Sequence, residues 1–145
     1  IHIKSIRNVN TYDKTPKMKV KEITDALLEN ISGSDFFVVN FSNGDMVGHT
    51  GNLKAAIKAV EAVDVEIGRI AKAFPGIIFI TADHGNCEDM ISECRTCHTT
   101  NDVPMIAVNA KGKLKDGSLA DIAPTILKVM KIKKPKEMAG KNLLI

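Results

Sequence analysis

The stretch "IIFITADHGN", residues 77 to 86, passes from a continuous apolar run into Asp83, His84 and Gly85 without a break. A short apolar run rich in β-branched residues and lacking polar alternation reads as a strand covered on both faces. The charged tripeptide then falls at the strand's carboxyl end. Pro75 and Gly76 stop whatever precedes it, and what precedes it has a different period. From Asn52 to Phe74, Ile57, Val60, Ile67, Ile70 and Phe74 recur at helical intervals, with Lys54, Lys58, Glu61, Asp64 and Glu66 between them. This predicts the longest helix, with that apolar series as its covered face.

Further out the alternation repeats. "MKVKEITDALLENI" (18 to 31) sets Ile23, Leu27 and Ile31 four apart, a helix, and "DFFVVNF" (35 to 41) reads as another buried strand, opening into "SNGDMVGHTG". On the other side, "VPMIAVN" (103 to 109) predicts a third strand. After the Gly- and Lys-rich turn "AKGKLKDGS" comes "LADIAPTILKVM", a helix with Pro124 near its start, where a missing N–H costs little. Strands alternating with helices predict an α/β fold: a mostly parallel sheet with helices on both faces, without internal repeats.

The chain has 145 residues, 44% of them apolar and 26% charged, enough for an ordinary core in a single globular unit. Lys and Arg number 20 against 17 Asp and Glu, a net charge of +3 with both signs interspersed, which predicts no nucleic-acid partner. The basic run "KIKKPKE" (131 to 137) reads as a solvated turn. No apolar run approaches the roughly 20 residues that span a bilayer, and no leader pattern opens the chain, so no membrane association and a cytoplasmic location are expected. Because the chain begins at Ile1 and not at a methionine, it is read as part of a longer reading frame.

In such sheets functional groups gather at the carboxyl ends of strands. The run ending at Phe41 delivers Asp45 and His49, the run ending at Thr81 delivers Asp83 and His84, and His98 lies just ahead of the third strand. Carboxylate oxygen and imidazole nitrogen together suit a divalent ion such as Mn²⁺ or Zn²⁺. Asp45 and His49 are four apart, so one helical turn aims both at one ion, whereas the adjacent Asp83 and His84 diverge unless the backbone kinks. Gly48 and Gly85 beside them let the backbone turn or approach a ligand closely.

"NFSNGDMVGHTG" (40 to 51), "TADHGN" (81 to 86), "HTTNDVP" (98 to 104) and "LADIAPTIL" (119 to 127) resemble, in order and spacing, consecutive motifs of the cofactor-independent phosphoglycerate mutases of the alkaline phosphatase superfamily. "TYDKTPKM" (11 to 18) and "KKPKEMAGKNLL" (133 to 144) extend the resemblance to nearly the whole chain. It implies an alkaline-phosphatase-like but incomplete phosphatase domain. Residues 1 to 145 would be its carboxy-terminal, metal-binding part, and the nucleophile-bearing amino-terminal part and the transferase domain would lie elsewhere. The implied activity interconverts 3-phosphoglycerate and 2-phosphoglycerate through a phosphoserine, in glycolysis and gluconeogenesis, by an enzyme expected to be monomeric. The implied cofactors are two divalent ions, Mn²⁺ first, with Mg²⁺, Co²⁺ or Zn²⁺ as substitutes. Asp45, His49 and His98 would hold one ion and Asp83 with His84 the other.

No serine of the chain stands in a context like the family's nucleophile, so no catalytic residue is assigned and the chain alone is expected to be inactive. Two departures are Gly44 and Asp102, each where the family usually has proline; Asp102 reads as solvated. "IRNVN" upstream of Thr11 also departs from the usual Pro-Lys pair. Two alternatives share the donor set: a phosphate- or sulfate-ester hydrolase or other phosphomutase of the same superfamily, and a non-catalytic metal-binding module.

Cys94-Arg95-Thr96-Cys97-His98 also fits the C-x-x-C-H pattern of haem attachment, but the absence of an export signal and the match of His98 to "HTTN" argue against haem. A zinc cluster of Cys87, Cys94, Cys97 and His98 is chemically sensible. The preferred reading is three thiols, two of them in a variable loop before His98.

Overall fold

Asn52 caps the longest helix: its side-chain oxygen accepts the Ala55 N–H at 3.2 Å, satisfying a donor that has no partner within the helix. The computed structural model describes all residues from 1 to 145. In chain order its elements are α1 (Val20–Glu29), α2 (Asn43–Gly48), α3 (Leu53–Ala73), β1 (Ile78–Thr81), β2 (Met105–Val108) and α4 (Ile122–Val129), with 3-10 turns at Tyr12–Lys14 and Leu119–Asp121. They pack as two compact units, residues 1–75 with 84–102 and residues 76–83 with 103–145.

In the first unit α1 and α2 lie against α3. The core is small: Val47, Ala55, Ala56, Ala59 and Met90 are buried, with Tyr12 and Cys87 packed against them. Three alanines on one side of α3 let α2 approach closely, since interaxial distance follows side-chain size. The covered face therefore differs from the one expected in the first half of α3. Ile57 and Val60 remain 50% and 51% exposed, with Val47 of α2 packed on the alanine side, whereas Ile67, Ile70 and Phe74 further along are half-buried. Arg69 links the helices electrostatically, its guanidinium 2.6 Å from both Asp25 on α1 and Glu66 on α3. Lys21 and then Arg69 hold the Asp25 carboxyl below its usual range.

The segment "TYDKTPKM" fastens the start of α2. Asn43, fully buried, donates its side-chain amide to the Pro16 carbonyl at 2.8 Å, and Asn52 donates to Asp13 at 3.2 Å. These contacts, with Val47 in the core, fix the helix that carries Asp45 and His49.

The sheet is where sequence and structure part. β1 and β2 form a two-stranded antiparallel pair in register from Ile78↔Val108 to Thr81↔Met105, not a mostly parallel sheet covered on both faces. A parallel pair needs a crossover connection, usually a helix, and the chain between these strands contains none. The run 35–41 is extended but joins no ladder, and Val38 is 81% exposed; Phe37 instead packs edge-on against Phe74, centroids 6.3 Å apart. Apolar β-branched composition makes a segment able to form a strand, but a neighbouring backbone must supply the hydrogen bonds.

In the second unit Asp121 stitches "LADIAPTIL" to the chain's last residues. Its carboxylate accepts the Lys141 N–H at 2.7 Å and the Ser118 N–H and hydroxyl at 2.9 and 3.1 Å. Thr125, completely buried, donates to the Asp121 carbonyl at 2.7 Å and accepts the Leu143 N–H at 2.9 Å. The basic run 131–137 is exposed, as expected of a solvated turn. The backbone donors of Lys141 and Ser118 hold the Asp121 carboxyl below its ordinary value. With the folded value below the unfolded one, its contribution to stability is complete above about pH 4 and fades as pH falls through the lower folded value. Asp121→Asn is accordingly expected to destabilise the chain at neutral pH and to flatten the acid limb of its stability curve, followed by urea unfolding from about pH 7 to pH 2. An acid limb of unchanged steepness in the variant rules this out.

Candidate metal centre

The i and i+4 spacing of Asp45 and His49 works as a helical turn should. His49 is the residue that closes α2, and its Nε2 stands 3.0 Å from Asp45 Oδ1. From a loop far along the chain, His98 brings its Nε2 to 3.1 Å from the same carboxylate oxygen and 3.1 Å from His49 Nε2. Three donor atoms from two segments thus form a nearly equilateral triangle. His84 completes the group, its Nε2 4.0 Å from Asp45 Oδ1 and its ring stacked on that of His98 at 3.7 Å between centroids. The ligand atoms of Asp45, His84 and His98 all lie within 4.8 Å of one another.

The second contact of His49 places one proton. Nδ1 is 2.7 Å from the Thr96 carbonyl, which only accepts, so Nδ1 carries a proton, and in the neutral ring it is Nε2 that offers a lone pair toward Asp45 and His98. Nitrogen and carboxylate donors at this spacing can be bridged by protons, as hydrogen bonds, or by a shared cation. Edges of 3.0 to 3.1 Å are of the size at which donors to one divalent ion stand, so Asp45, His49 and His98 could hold such an ion together. Neutral imidazole and carboxylate suit Mn²⁺, Co²⁺ or Zn²⁺ in type as well as spacing.

Behind the donors lies a polar support that sequence reasoning missed. Asn86, 5% exposed, donates its amide to Asp45 Oδ1 at 3.0 Å. The 83–86 loop and the 98–101 loop meet in an isolated bridge between Gly85 and Thr99, the Thr99 N–H donating to the Gly85 carbonyl at 2.9 Å. Glu88 accepts from the Asn86 N–H at 2.7 Å, from the Thr99 hydroxyl and from the Asn101 amide at 3.1 Å. The Thr99 hydroxyl foremost holds the Glu88 carboxyl below its usual range. Asn86, Thr99 and Asn101 sit inside the motifs "ADHGN" and "HTTN", so adjacency to a ligand candidate was their only signal.

Asp83 ends the stretch of the second unit that carries β1. Asp102 is exposed. The three cysteines are not three thiols: Cys94 and Cys97 are joined, their Cα atoms 5.3 Å apart in the tight turn between them, a separation at which a disulfide closes readily. Cys87 donates its thiol to the Gly44 carbonyl at 2.8 Å, and burial first, then the charges of Glu88 and Asp45, push its pKa up. A thiol so placed is a poor source of thiolate, and the four-ligand zinc cluster with Cys94 and Cys97 is not formed. No helix is long and apolar enough to cross a membrane.

Residues 1–134 match a family profile described as the metalloenzyme superfamily. Among curated proteins, the chain is 49% identical over 146 residues to the 2,3-bisphosphoglycerate-independent phosphoglycerate mutase of Moorella thermoacetica, covering 94% of this chain and 28% of that protein. It is 51% identical over 150 residues to the enzyme of the same name from Psychrobacter arcticus, covering 95% and 27%, and 52% identical over 143 residues to that of Mycoplasma genitalium, covering 94% and 28%. The chain therefore spans less than a third of the length of these relatives. Among solved structures, phosphoglycerate mutase of Leishmania mexicana, crystallised at low cobalt concentration, superposes with a TM-score of 0.84 at 29% identity, over 99% of this chain and 31% of that one.

Proposed function

The chain belongs to the metalloenzyme superfamily and is homologous over most of its length to 2,3-bisphosphoglycerate-independent phosphoglycerate mutase, and from that premise we propose that it holds a catalytic divalent ion for the interconversion of 3-phosphoglycerate and 2-phosphoglycerate. The observation that carries the proposal is the triangle of Asp45 Oδ1, His49 Nε2 and His98 Nε2, with edges of 3.0 to 3.1 Å. In this reading Asp45, His49 and His98 are ligands of one ion. The pairing of Asp83 with His84 on a second ion rests on the motif alone.

When bound, such an ion offsets charge on the transferring phosphoryl oxygens and makes a coordinated hydroxyl easier to deprotonate. The chain's own residues contribute orientation. Thr96 keeps the His49 proton on Nδ1, so that Nε2 faces the site as an acceptor. Asn86 turns one oxygen of Asp45 toward both imidazoles. Because none of the six serines resembles the family's nucleophile, the serine that carries the phosphoryl group is assigned to sequence outside these 145 residues.

Two measurements test this. Calorimetric titration of the chain with Mn²⁺ should reveal stoichiometric binding. A coupled assay without bisphosphoglycerate should find mutase activity in the product of the complete reading frame and none in residues 1–145 alone. Metal binding with hydrolysis of phosphate esters but no mutase activity in the complete product would transfer the chain to the hydrolase reading. Turnover by the 145 residues alone would overturn the assignment of the serine.

A further inference from the structure

We propose that Glu88 is a positioning residue of this centre, clamping the loop of His84 to the loop of His98 and so setting the separation of the donor atoms. The inference rests on the metal-holding reading above. Glu88 is exposed and its hydrogen bonds go to none of the donors. Its partners are what single it out. One carboxylate oxygen holds the Asn86 N–H, two residues beyond His84; the other takes the Thr99 hydroxyl, one residue beyond His98, and the Asn101 amide.

Three donors from two ligand-bearing loops thus converge on one acceptor-only group and occupy both of its oxygens. The clamp also reaches the third ligand-bearing segment. Asn86, whose backbone Glu88 holds, places its side-chain amide on Asp45 Oδ1 at 3.0 Å. Gly85 lies inside the clamp, and a Cβ there would run into both the Thr99 hydroxyl and the Glu88 carboxylate. The loops are therefore apposed closely enough that the clamp leaves no slack. The visible consequence is the stacking of the His84 and His98 rings, 19° between planes.

The clamp is tested in the 145-residue chain with Glu88→Ala, Glu88→Gln and Thr99→Val. In the metal-free protein, stacked imidazoles shift each other's ring-proton resonances, and Glu88→Ala is expected to move those of His84 and His98 toward solvent-exposed positions while leaving those of His2 in place. Titration with Co²⁺, followed by its visible absorption, should show an affinity about 10 to 100 times weaker in Glu88→Ala, the range found when partners of metal ligands are removed. Glu88→Gln and Thr99→Val, which each disturb only part of the clamp, should fall between. A purely structural role would lower the melting temperature but leave the ring shifts and cobalt affinity of the folded variant unchanged, and that result overturns the proposal. If the wild-type chain binds no cobalt while Glu88→Ala still releases the two rings, the metal reading fails and the clamp stands. Wild-type cobalt binding with Glu88→Ala indistinguishable from it means the reverse.

Discussion

Asp45→Asn is expected to weaken the chain's affinity for Co²⁺ or Mn²⁺ by at least about 100-fold, exceeding the loss from removing a ligand's supporting partner. Asp45 Oδ1 is the hub of the cluster, 3.0 Å from His49 Nε2, 3.1 Å from His98 Nε2 and 3.0 Å from the Asn86 amide. Asparagine keeps the side chain's size but removes the only formal negative charge in that triangle. It also offers an amide group that can present a donor where the imidazoles present lone pairs. The fold should survive, since Asp45 is not part of the apolar core formed by Val47 and the alanines of α3. Unchanged far-ultraviolet circular dichroism together with the lost affinity would confirm the assignment. Affinity within about threefold of wild type would remove Asp45 from the ligand set, because a lost carboxylate ligand costs far more.

The second large effect is expected from Gly48→Ala. Gly48 ends α2 and is buried, and its backbone is not in the left-handed region, so space alone excludes a side chain. An added Cβ would run into the Asn86 side-chain oxygen, lie 2.8 Å from Asn86 Cγ and 3.0 Å from Cys87 Sγ. Asn86 cannot yield cheaply, because it is buried and anchored to Asp45. Overpacking of this kind costs about 1 to 3 kcal/mol, measurable by urea unfolding. Metal affinity should fall with it, since Asn86 must release Asp45 to make room. Gly68→Ala is the natural control. Gly68 lies within α3 with nothing within 4 Å of the position a Cβ would take, so the same exchange there should stabilise by about 0.5 to 1 kcal/mol through helix propensity. Equal effects at the two positions would show that the close approach at Gly48 is not what the glycine serves.

The legible parts of the molecule are those whose cause is local. α1 and α3 appear within a few residues of their expected bounds because the apolar period and the Pro75-Gly76 stop are read from neighbouring residues. β1 and β2 fall inside the expected apolar runs for the same reason. The four-residue spacing of Asp45 and His49 becomes a 3.0 Å separation because a helical turn has one geometry. The position of His98 ahead of the third apolar run puts it in the same region, and only the motif resemblance assigns it to the same ion.

What stayed illegible depends on partners distant in the chain. Asp45 meets Asn86 across 41 residues, and Glu88 reaches Thr99 and Asn101 across 11 and 13, and composition carries no trace of such meetings. The choice between the isoleucine and alanine faces of α3 likewise fell to whichever helix could come closest. The sequence by itself determined which segments can be helix or strand and which donor types stand at their ends, since these follow from side-chain chemistry and backbone period. Only the tertiary structure decided that β1 and β2 pair antiparallel, that residues 35–41 find no ladder, and that Asp45, His49 and His98 share a triangle with edges of 3.0 to 3.1 Å. The physical reason is that hydrogen-bond ladders and ligand sets are properties of pairs and triples of segments, fixed when packing brings them together.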